Sequence, residues 1–117
     1  MQTLMTQPLV IDLRNRLTAQ QDPHASAAMQ AYMKTEQPFY GIKSTPRRAL
    51  LRTALNAHPI TNRSEYEVVI RELWGGAYRE EMYLALDVAE RYKPYRDLTS
   101  WSLYVELMRE AGWWDTL

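Results

Sequence analysis

Residues 64–94, "SEYEVVIRELWGGAYREEMYLALDVAERYKP", decide the fold class. Apolar residues recur with helical spacing on both sides of Gly75-Gly76, and no segment shows the two-residue alternation of a strand. Ser64 with Glu67 matches the S-x-x-E capping box, in which each side chain satisfies an amide at the helix start. The glycine pair stops the first helix and Pro94 stops the second, because proline offers no amide and clashes with the preceding turn. The stretch therefore predicts two helices, about 65–74 and 77–92, joined by a tight turn.

The same signals extend outward. Leu9, Leu13 and Leu17 stand one turn apart, and Ala25, Ala28, Met29, Tyr32 and Met33 repeat the period. Asp22-Pro23 and Thr45-Pro46 each offer a capping side chain followed by proline at the first helical position. Gly112 follows "SWSLYVELMREA" where a left-handed C-terminal cap belongs. Six helices are expected, at about 7–20, 23–34, 46–57, 65–74, 77–92 and 99–111, with a seventh starting at Trp113. Helices of this length with short connections favour antiparallel pairs stacked as an α-solenoid.

A chain of 117 residues suits one domain. With 46% hydrophobic and 24% charged residues it has globular composition. The absence of cysteine excludes disulfides, thiolate nucleophiles and thiolate zinc sites. No N-terminal leader pattern and no long apolar run is visible, so a cytoplasmic protein without a membrane span is expected. His24 and His58 lie far apart beside prolines, which predicts neither metal binding nor general-base work, and no cofactor is expected.

Net charge is zero, yet it is unevenly distributed. Residues 37–64 carry Lys43, Arg47, Arg48, Arg52 and Arg63 without an acid, whereas residues 65–90 are acidic apart from Arg71 and Arg79. Lys43, Arg47, Arg48 and Arg52 cluster about the opening turns of one helix. They are candidate phosphate contacts, since helix-start amides also attract anions; the alternative is a solvated face. Arg71 and Glu72 read as a structural polar contact, and Glu80-Glu81 as acids complementing a helix dipole.

Several stretches in combination, "MQAYMK" (29–34), "FYGIKSTPRRALL" (39–51), "VVIRELW" with "YREEMYLALDV" (68–88) and "WWD" (113–115), resemble the AlkD-like DNA alkylation repair family over residues 9–117. The resemblance implies a HEAT-like α-solenoid, of which residues 1–117 form one helical domain matching the N-terminal half. It also implies a glycosylase that excises cationic N3- and N7-alkylpurines from duplex DNA without cofactor or metal and without flipping the base into a pocket. Losing such a base leaves positive charge on the deoxyribose. An indole face stabilises a neighbouring cation by about 0.5–2 kcal/mol, and a carboxylate adds electrostatic support.

Carried onto this sequence, Trp114 matches the indole lining the sugar, and Tyr32 the aromatic that approaches the lesion-bearing backbone. Read from its residues alone, Tyr32 belongs to an apolar stripe that favours a core position. Trp113 reads as packing, and Asp115 matches an aspartate of the family other than the catalytic one. The catalytic aspartate would follow Leu117 directly, so this chain is expected to lack it and to excise poorly. The loop order Thr45-Pro46-Arg47-Arg48 also departs from the family's proline, charged residue, arginine order. Two rival expectations are a non-catalytic helical module holding DNA or a protein partner, and self-association through an apolar surface that further helices would cover.

Overall fold

A computed structural model describes residues 7–92. Among these there are five helices and no strand: α1 (Pro8–Ala19), α2 (Pro23–Met33), α3 (Ser44–Ala57), α4 (Arg63–Trp74) and α5 (Arg79–Arg91). The fold is all-α, of stacked helices as in a HEAT-like fragment. The expected helix at 99–111, the start of a seventh, and Trp113, Trp114 and Asp115 lie outside the described residues.

The helical periods place one apolar face of each of four helices in a common core. Leu9, Val10, Leu13 and Leu17 of α1 meet Leu50, Leu51, Ala54 and Leu55 of α3. Tyr66, Val69, Ile70, Leu73 and Trp74 of α4 pack with Leu84, Ala85 and Val88 of α5 in the most extensive helix pair. At about 1.5–3 kcal/mol per fully buried large side chain, this burial is the main force assembling the fold.

The helix starts follow capping chemistry, with two corrections. Asp22 caps α2 as expected, its carboxylate accepting from the amides of His24 (3.0 Å) and Ala25 (3.2 Å). The expected Ser64–Glu67 box is displaced by two residues. Asn62, extended at φ −153°, accepts from the amide of Glu65 at 2.8 Å, and the Glu65 carboxylate returns to the Thr61 amide at 2.9 Å. Asparagine caps at least as well as serine, and this choice gives α4 an earlier start.

At α3 the cap is Lys43, without a side-chain hydrogen bond, rather than Thr45. Pro46 occupies the third helical position, where no intrahelical partner for an amide exists, so the proline costs nothing there. Gly75 ends α4 as expected, its amide donating to the Arg71 carbonyl at 3.0 Å, and Gly76 donates to Leu73 at 3.1 Å. Glu72 accepts from the Gln7 amide at 3.3 Å and, through its carbonyl, from Arg14 at 3.2 Å, tying α4 to α1.

The second helix is the exception to the core. Its period is helical, but none of its residues is buried and it packs on no other helix as extensively as the core helices pack on one another. The expectation that its stripe joins the core is overturned for Tyr32, which is 85% exposed.

Candidate nucleic-acid interface

Polar contacts to one loop hold α2 in place of apolar burial. The Ser26 hydroxyl donates to the Phe39 carbonyl at 2.7 Å, and the Asp22 amide to the Tyr40 carbonyl at 2.8 Å. The Gln30 side-chain amide donates to the carbonyls of Glu36 and Gln37, at 3.1 and 3.0 Å. Gly41 sits at φ +89°, and a Cβ there would collide with the Asp22 carbonyl oxygen. Only glycine meets both demands at no cost.

The same loop is tied to α5 by a carboxylate. Glu80 is 1% exposed, and its two oxygens accept from three successive amides, those of Tyr40 (2.8 Å), Gly41 (2.9 Å) and Ile42 (3.1 Å). Glu81, also buried, accepts from Arg14 at 2.7 Å and from the Tyr40 hydroxyl at 3.5 Å. Reading the pair as surface acids serving the helix dipole is therefore corrected: they are the internal anchors of the loop and of α1. Burial, and then the neighbouring Glu81 charge, push the Tyr40 phenol up to about 12. The Tyr40 ring also stacks on Tyr78, with centroids 4.0 Å apart.

Between α2 and the α3–α5 face these anchors leave an open cavity of about 680 Å³. Met29, Tyr32 and Met33 of α2 line it together with Phe39 and Tyr83, and Lys43, Ser44 and Arg47 add polar groups. Arg47 is 8% exposed; its Nε lies 3.0 Å from the Asp87 carboxylate and its guanidinium 5.0 Å from the Tyr83 ring centroid. Arg79 donates to the Gln37 side chain at 2.7 Å and lies 5.6 Å from the centre of the Phe39 ring. Two of the rings that line the cavity, Tyr83 and Phe39, thus each lie beside a guanidinium.

The four candidate phosphate contacts separate. Lys43, Arg48 and Arg52 are exposed and their side chains make no hydrogen bond or ion pair among the described residues, and Arg48 and Arg52 stand one turn apart on α3. Arg47, by contrast, spends its charge on Asp87. Tyr32 and Lys43 line the same cavity, a conjunction that neither position announced separately.

A family model for the DNA alkylation repair enzyme matches residues 13–117. The chain belongs to that family. No curated protein matches it. Membership assigns the chain to DNA alkylation repair. Among the described residues, no helix is long and apolar enough to cross a membrane, and no three His, Asp or Glu side chains are grouped to hold a metal ion.

Two residues of the site escaped sequence reasoning: Glu80 and Arg79. Both stand in the first turn of α5, and each acts on residues 37–42, about forty positions away in the chain. No local pattern signals such a pairing. A smaller cavity of about 180 Å³ lies beside His58, away from this groove. There the fold brings His58 Nε2 to 3.6 Å from the Asp12 carboxylate, a neighbour that the sequence around His58 does not suggest.

Proposed function

We propose that the chain serves alkylation repair as part of a glycosylase that hydrolyses the N-glycosyl bond of cationic N3- and N7-alkylpurines, and that its own share is to hold duplex DNA. One observation carries this reading: the charges at the groove divide into committed and open ones. Lys43, Arg48 and Arg52 stand open to solvent, whereas Arg47, Glu80 and Asp87 are all engaged within the protein. Open cations on a helix face suit phosphates, which position a protein on DNA without selecting sequence.

In this reading Tyr32 approaches the lesion-bearing backbone from α2, and Trp114 sets its indole against the deoxyribose where positive charge develops. A carboxylate that activates water must be able to reach that sugar with an oxygen to spare. Glu80 already receives three amides and Asp87 an arginine. The acid therefore comes from neither Glu80 nor Asp87, and the part these residues support is binding rather than cleavage.

Incubating methylated duplex DNA with the 117-residue chain tests both halves. Salt-sensitive binding with 7-methylguanine release no faster than in a protein-free control is expected. Release above that control would contradict a binding role without cleavage, and binding insensitive to salt would favour a protein partner over DNA.

A further inference from the structure

We propose that Glu80 positions Tyr32 for DNA, holding α2 in place through two shared peptide planes while its own buried carboxylate stays out of contact with the duplex. The inference rests on the DNA-binding reading above and adds to it a residue on which the Tyr32 contact depends.

A helix placed by packing needs no such device, but α2 has no buried residue. Hydrogen bonds set its position instead, and those at its start converge on two peptide units of one loop. The unit between Phe39 and Tyr40 accepts the Ser26 hydroxyl on its carbonyl at 2.7 Å and donates its amide to Glu80 Oε1 at 2.8 Å. The next unit, between Tyr40 and Gly41, accepts the Asp22 amide at 2.8 Å and donates to Glu80 Oε2 at 2.9 Å. In a planar trans peptide the carbonyl and the amide point in opposite directions, so each unit is gripped from α2 and its cap on one side and from α5 on the other. Hydrogen bonds linked in this way polarise and strengthen one another.

Gly41, at φ +89°, lets successive amides turn toward one pair of oxygens, a concavity that elsewhere receives external anions. Here the protein's own carboxylate fills it, and at 1% exposure Glu80 serves the scaffold rather than a ligand. Gln30 adds contacts to the carbonyls of residues 36 and 37, which belong to the segment directly following α2. Tyr32 lies six residues beyond Ser26 on the same continuous helix, so a tilt at the start is carried to the ring. Arg48 and Arg52 ride instead on α3, which Leu50, Leu51, Ala54 and Leu55 fix in the core. The relay therefore governs the aromatic contact and leaves these two cations in place.

Fluorescence anisotropy with the full chain and a labelled duplex carrying one 7-methylguanine tests this as a double-mutant cycle. Tyr32→Leu should weaken wild-type binding about fivefold, the worth of one polar contact. In the Glu80→Gln background the same change should weaken binding less than about twofold, since the ring is already displaced, whereas in the core variant Ile70→Val it should keep its effect of about fivefold. If Glu80 contributed stability alone, the Tyr32 factor would be the same in all three backgrounds, and that result would overturn the proposal. Ser26→Ala cuts the relay from its α2 side at a half-buried hydroxyl and should also reduce the Tyr32 factor. It decides the matter if Glu80→Gln fails to fold, an undiminished factor again overturning the proposal. A factor of one already in the wild type would remove the Tyr32 contact and the proposal with it, and a wild type that binds no duplex would overturn the DNA reading itself.

Discussion

Two helices whose apolar residues both recur at helical spacing meet opposite fates. On α4, Tyr66, Val69, Ile70, Leu73 and Trp74 all disappear into the core; on α2, Met29, Tyr32 and Met33 face an open cavity, and none is buried. Period alone says that a helix has an apolar side, and partners decide whether that side becomes core or surface. The α4 face meets α5 and α1, whereas α2 is held from one end and one loop by hydrogen bonds to backbone carbonyls. Four helices share the core, and the fifth forms the wall of an open cavity.

That contrast can be broken at its strongest point first. Trp74→Ala should cost about 3–5 kcal/mol in urea unfolding, the usual penalty for emptying a buried aromatic site. Next comes Glu80→Gln. It removes the charge that three amides address and turns a donor toward one of them, so a loss of about 1–3 kcal/mol is expected. Because those amides also position the loop that holds α2, amide exchange should rise in residues 22–42 more than in α4. Equal rises in both regions would remove the distinction between core and wall.

A smaller effect is expected in alkali. The Tyr40 phenol is raised from 10.0 to about 12 in the folded protein, chiefly by burial. Between these values the unfolded chain loses its proton and the folded one keeps it, so stability falls as pH rises from 10 to 12 and is intact below 10. Denaturation midpoints of wild type and Tyr40→Phe should diverge in slope across that window; parallel slopes would contradict the assignment. The smallest change belongs to the wall: Tyr32→Leu should alter stability by no more than about 0.5 kcal/mol, as at other exposed positions.

The residues also explain how much could be read in advance. The all-helical class, the turn at Gly75-Gly76 and the Asp22 cap were legible because each rests on interactions within a few positions. The Asn62 cap is hidden in the sequence because Ser64 offers an equally regular box two residues later. Of the site, the cation cluster and Tyr32 were visible as residue types, but their sorting was not. Arg47 looks like Arg48 until the fold brings Asp87 to it, and Glu80 looks like a dipole acid until residues 40–42 arrive. Long-range pairing leaves no mark on local spacing, so the committed charges could not be told from the open ones.

The central claim is that Lys43, Arg48 and Arg52 are the open charges that meet DNA. It is tested most directly by measuring duplex affinity across a salt series for the wild type and for the variant with all three changed to alanine. Each phosphate contact adds about 0.9 to the slope of log affinity against log salt, so the variant should lose about two to three units of slope and most of its binding. An unchanged slope, with the fold intact by circular dichroism, would contradict the account.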